Sequence, residues 1–139
     1  MKMIRNKSKK GFTLVELIVV LVILAVLAAM LVPALTGYIR RARQEKDYQF
    51  AATVLTAAQS AATYQYSLPS SQRQATINQS APAGGQSNET VKTLVGNDNF
   101  SCSFAVSEGV IGQGTVTVNG ATYTWHPDTA TWTAAEATT

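Results

Sequence analysis

Lys9-Lys10-Gly11-Phe12-Thr13-Leu14-Val15-Glu16-Leu17 opens the stretch on which the fold turns. From Leu17 to Leu35, nineteen residues follow with no charged or strongly polar side chain. As a helix, such a run is long enough to cross the roughly 30 Å hydrocarbon core of a bilayer. It is apolar on every face, and no other segment of the 139 residues is large enough to enclose it, which speaks against a buried core helix. Two readings stay open on these residues. One is an uncleaved transmembrane anchor, and the other is a secretory signal with Val32-Pro33-Ala34 as its cleavage site. Against the second stand an apolar run longer than the about 7 to 15 residues of a signal core, Glu16 near its start, and a helical pattern that continues past Ala34.

Glu16 needs an explanation of its own, because a carboxylate in a membrane helix costs about 2.5–3.5 kcal/mol at the centre and less near an end. A place at headgroup level beside Lys9 and Lys10 would relieve it in the full chain. That leaves the surrounding string unexplained. The string resembles the processing site of type IV prepilins and the related pseudopilins, in which a short basic leader ends in Gly, Phe follows, and a Glu lies five positions into the mature chain. Here those residues are Gly11, Phe12 and Glu16.

The resemblance implies that a prepilin peptidase, an aspartic enzyme of the membrane, cuts after Gly11 on the cytoplasmic side and methylates the new amine of Phe12. It also implies assembly through Phe12 and Glu16, the carboxylate pairing with the Phe12 amine of a neighbouring subunit. The partners that follow are other copies of the chain in a helical filament, the peptidase, an assembly platform in the membrane, and membrane lipid before assembly. The location that follows is the cytoplasmic (inner) membrane for the precursor and the cell surface for the filament. The residue types suit these roles. Glycine leaves the backbone open to a protease, and Glu16 is the only acidic residue in the span that can answer a cation at Phe12. The likeness covers residues 9 to about 45 closely and the rest only in architecture.

Five of the eleven basic residues lie in the leader, residues 1–11, and its removal takes the net charge from +3 to −2. The basic balance therefore belongs to the precursor and gives no ground for a nucleic-acid interface. Arg40, Arg41, Arg43 and Lys46 form a second basic cluster, balanced in part by Glu45 and Asp47, and read as a solvated helix face near lipid headgroups. Cys102 is the only cysteine, so the chain has no internal disulfide, and its neighbours offer no charge to activate a thiol. His126 and Asp128 come without a nucleophile motif, and the acidic residues of the C-terminal part are too dispersed for a calcium loop. No catalytic residue, metal site or cofactor is expected. Among pilins, the missing cysteine pair points toward a Gram-positive-like variant.

Past the span, Tyr38, Ile39, Ala42, Ala51, Val54, Leu55, Ala58, Ala62 and Tyr66 recur mostly at spacings of three or four. This predicts one helix over residues 12–66, whose part 12–35 is membrane or filament core and whose remainder is amphipathic. Pro33 and Gly37 are expected to break or kink it, and pilins commonly carry a proline there. Residues 67–98 read as a connecting loop, with Asn88 capping a short helix around Val91, Leu94 and Val95. Residues 99–139 read as an antiparallel sheet of three or four strands. Phe100 to Val106 and Thr115 to Val118 alternate with period two, Asn119-Gly120 signals a hairpin, and Trp132 marks a last strand.

The expected fold class is therefore α+β and pilin-like, a long helix covering a small sheet. The expected function is that of a structural, non-enzymatic subunit of a type IV pilus. The alternatives are a pseudopilin of a type II secretion or competence DNA-uptake system, and a membrane-anchored binding domain that does not polymerise.

Overall fold

The computed structural model describes residues 10–84 and 88–135. The leader residues before Lys10, with four of its five basic side chains, lie outside the described residues, as do Gly85 and Glu136. Two compact units divide the chain between Ala42 and Arg43. Helix α1 (Leu14–Tyr66) contributes to both.

In the first unit α1 is helical through Pro33 and Gly37. Pro33 has no N–H to donate, and its carbonyl accepts a bond from the Thr36 hydroxyl at 2.9 Å. The second unit holds the remainder of α1 and a sheet of five antiparallel strands in chain order: β1 (Thr76–Asn78), β2 (Phe100–Ser107), β3 (Val110–Val118), β4 (Ala121–His126) and β5 (Thr131–Ala134). The α+β class holds, but the sheet has one strand more than the three or four expected. That strand, β1, lies in the stretch read as loop. It has a single apolar residue, Ile77, which is fully buried opposite Phe104, and one residue makes no period.

Both two-residue hairpins turn on a pair of positive φ angles, the signature of type I′ turns. Asn119 and Gly120 stand at 52° and 78°, and Glu108 and Gly109 at 52° and 80°. Only the first has the Asn-Gly signal. Between Phe104 and Val106 the register slips by one extra residue on β3, a bulge beside Gly112 and Gln113. The short helix α2 (Val91–Val95) is present, but its cap is Thr90 rather than Asn88. Thr90 Oγ1 accepts from Thr93 N at 3.3 Å and Thr93 Oγ1 accepts from Thr90 N at 2.7 Å, a reciprocal box that occupies both orphan donors.

The buried face of α1 follows Asp47, Ala51, Val54, Ala58, Ala61 and Gln65, alternating steps of four and three. Alanines dominate it, and the sheet answers with large side chains, among which Phe104, Tyr123 and Ile77 are fully buried. Small residues on one side and large ones on the other let helix and sheet approach closely along this buried face. Phe50 meets Phe100 and Tyr48 meets Tyr123 edge to face, with ring centroids 5.5 and 5.0 Å apart. Across the sheet, Ile77, Phe104, Gly114, Trp125 and Trp132 stand in one row. Gly114 is the gap in that row, since a Cβ there would stand 2.3 Å from Phe104 Cδ1 and 2.5 Å from Ser103 O. Cys102 is buried in β2, and that burial pushes its thiol up to about 12, so it is a packing residue.

Three polar side chains of α1 fix the helix along the sheet. Asp47 accepts from Tyr123 Oη at 2.9 Å and from Asn119 Nδ2 at 3.0 Å, holding the β3–β4 turn. Gln59 donates to Gly109 O at 2.8 Å and accepts from Ile111 N at 3.0 Å, holding the β2–β3 turn. Gln65 accepts from Gln74 N at 3.0 Å and ties down the chain that leaves the helix. Gly109 also leaves room for Tyr66, whose Cβ lies 2.9 Å from where a Cβ on the glycine would be.

Two predictions follow from this packing. Gly114→Ala is expected to destabilise the sheet unit by about 1–3 kcal/mol, the usual cost of overpacking, and a thermal melt equal to the parent's would refute the close approach. The second concerns Tyr123, whose phenol is pushed up to about 12 by burial and then by the Asp47 carboxylate. An unfolded tyrosine ionises near 10, so this raised value contributes stability that is complete below about pH 10 and lost as the pH climbs toward 12. Tyr123→Phe is expected to lose about 1.5–3 kcal/mol at neutral pH. Urea denaturation should also show it to be less sensitive than the parent between pH 10 and 12.

Candidate functional site

The residues singled out by the sequence gather at the start of α1. Gly11, Phe12 and Thr13 are non-helical, and Phe12 is 85% exposed. The space around Gly11 is open, a Cβ there meeting nothing within 4 Å. A peptide bond in non-helical, uncovered backbone ahead of a helix can be reached by a protease, whereas one inside the helix is tied into its hydrogen bonds.

Thr13 and Glu16 form a capping box. Thr13 N donates to Glu16 Oε2 at 2.9 Å, and Glu16 N donates to Thr13 Oγ1 at 3.3 Å. The first bond of the helix runs from Leu17 N to Thr13 O at 3.3 Å, which makes Thr13 the N-cap. The carboxylate therefore already has a partner within its own chain, and it sits at the positive end of the helix dipole. Sequence reasoning sought that partner elsewhere, although Thr-x-x-Glu before an apolar run is itself the pattern of such a box.

Beyond the cap, every large apolar side chain from Leu14 to Leu35 is at least half exposed. This helix is long and apolar enough to cross a membrane. Burying one such side chain is worth about 1.5–3 kcal/mol, so for the segment the gain from lipid or from other helices runs to roughly tens of kcal/mol.

Other candidates come apart in the structure. Asp47 was expected to balance the basic cluster, but its carboxylate is turned to Asn119 and Tyr123, with Arg43 and Lys46 lining an open cleft beside it. Among the described residues the one ion pair is Lys92 with Asp98, at 3.1 Å. His126 Nε2 lies 2.9 Å from Thr133 Oγ1 on the neighbouring strand, a cross-strand contact that involves neither a nucleophile nor Asp128.

No curated protein and no solved structure matches the chain. A family model does match, over residues 6–32, and it describes the prokaryotic N-terminal methylation motif. The matched residues contain the open Gly11-Phe12 bond, the Thr13–Glu16 box and most of the uncovered apolar run. At its N-terminus, therefore, this chain carries the prokaryotic N-terminal methylation motif, the signature of type IV pilins and pseudopilins.

Proposed function

We propose that the chain is the structural subunit of a type IV pilus, cut after Gly11, methylated on the new amine of Phe12, and polymerised through the apolar part of α1. The observation that carries the reading is the apolar helix surface from Leu14 to Leu35, which is uncovered among the described residues and which begins at the methylation motif. In the membrane, lipid covers it. In the filament, the same side chains of neighbouring copies cover one another, and the sheet units face water.

Within this reading the cut changes what Glu16 is for. Before it, the carboxylate caps its own helix through Thr13 N. Afterwards Phe12 ends in an amine, a cation that is costly among apolar helices unless a carboxylate meets it. Glu16 of a neighbouring copy supplies that carboxylate, and the pair sets the axial stagger. Pro33 and Gly37 mark where α1 gives up hydrogen bonds when the filament forms or stretches, since Pro33 already lacks a donor.

The test is the mass and first residue of the protein recovered outside the membrane. An N-methylated Phe12 is expected. A start at Leu35 would mean a secretory signal, and an intact Met1 an anchor. Glu16→Ala should still insert and be processed, yet assemble at least about tenfold less filament by electron microscopy, a difference of about 1.4 kcal/mol per subunit. Normal filaments from that variant would sink the assembly role. Processed subunits that stay at the membrane without long surface filaments would favour a pseudopilin.

A further inference from the structure

A groove of about 850 Å³ opens in the second unit between the last turns of α1 and strands β3 and β4. Its lining residues all belong to that unit, and its volume is that of a small-molecule site. One wall carries Trp125 and Pro127, the other Tyr64 and a row of hydroxyls that includes Thr56, Ser60 and Thr63. No charged side chain lines it among the described residues, so an ionic ligand would lose its hydration without compensation.

The hydroxyls on the helix wall of the groove are biased in one direction. Thr56 Oγ1 donates to Ala52 O at 3.1 Å, Ser60 Oγ to Thr56 O at 3.2 Å, and Thr63 Oγ1 to Gln59 O at 2.9 Å. With their hydrogens committed to the helix, these hydroxyls offer lone pairs to the groove. The Gln59 amide is already spent on Gly109, on Ile111 and, at 3.4 Å, on Thr63 Oγ1, which uses one of that hydroxyl's lone pairs. A ligand hydroxyl can therefore donate to the helix wall, and Tyr64 and Trp125, which also line the groove, each carry a donor for a ligand oxygen. A sugar hydroxyl donates to the wall and accepts from its neighbour on the ring or from water.

The aromatic wall is set in advance. Trp125 is half-buried and packs on Trp132 at a centroid distance of 5.3 Å, and Trp132 in turn meets Phe104 edge-on at 6.5 Å. A ring held this way offers a flat apolar face at little cost in ordering. We infer that the groove between α1 and β4 binds a neutral glycan, a short run of hexose units whose C–H face stacks on Trp125 and whose hydroxyls donate to Thr56 and Ser60.

The test uses the full chain in dodecylphosphocholine micelles, because a maltoside detergent would present a sugar to the groove. Chitotriose, cellotriose and maltotriose are titrated to about 10 mM, far enough to see millimolar binding. The readouts are tryptophan fluorescence and saturation transfer to the sugar ring protons. At least one trisaccharide is expected to bind saturably, about tenfold more weakly to Trp125→Ala and about threefold more weakly to the Thr56→Val, Ser60→Ala pair. The pair lies on exposed helix positions and keeps the fold intact should Trp125→Ala fail to fold. The inference falls if no trisaccharide binds, if binding ignores these substitutions, or if triglycine binds as well and with the same sensitivity. Filament formation does not enter the measurement, so its outcome is independent of the assembly reading.

Discussion

One helix has to be covered in two different ways, and the rest of the structure follows from that constraint. From Leu17 to Leu35 the side chains of α1 are apolar on all faces and the large ones at least half exposed, while from Asp47 onward only one face is buried, against the sheet of the same chain. Water satisfies the second part on its outer side and penalises the first. A helix is the one element that can do both without a seam, because its backbone hydrogen bonds are internal whatever surrounds it. The division of the chain into two units between Ala42 and Arg43 falls where the manner of covering changes.

In the sheet unit the covering is achieved with small residues on the helix. Ala51, Ala58, Ala61 and Ala62 contribute little buried area each, and the apolar content of the layer comes from Phe100, Phe104, Tyr123 and Ile77 below them. A smooth helix face could slide along such a layer. Asp47, Gln59 and Gln65 prevent this, each meeting a directional partner on the sheet unit. Their hydrogen bonds add modestly to stability, but leaving any of them unmade inside the layer would cost more than the bond contributes.

At the other end of the helix, Glu16 has a use within its own chain before any partner arrives. A capped carboxylate is partly compensated for its position at the start of an apolar segment, which eases insertion of the full chain into a membrane. It remains the acidic group closest to the amine that cleavage at Gly11 would create. Local capping and the proposed intermolecular pairing would thus call on the same carboxylate, and an amine is the stronger partner where water is excluded.

Much of this was legible in the residues. The apolar run, the Gly11-Phe12-Glu16 spacing, the periodicity of α1 and the Asn119-Gly120 turn are local patterns, and local patterns survive being read one residue after another. The Thr13–Glu16 box is equally local, a Thr-x-x-Glu whose side chains answer backbone donors three residues apart. Strand β1 was hidden for a different reason. Three residues with one apolar side chain have no period, and Ile77 becomes a core residue only because β2 offers Phe104 opposite it. Asp47 looked like a surface counter-charge, since its partners Asn119 and Tyr123 lie 72 and 76 residues away along the chain. Sequence by itself settled that an apolar helix starts close to the Gly11-Phe12 pair, how far it runs and that the chain turns at Asn119-Gly120, since propensity, hydropathy and turn chemistry act between near neighbours. Which polar side chains are buried, which glycine must stay a glycine and where a groove is left open depend on distant segments coming within a few ångströms, and only the folded chain specifies those distances.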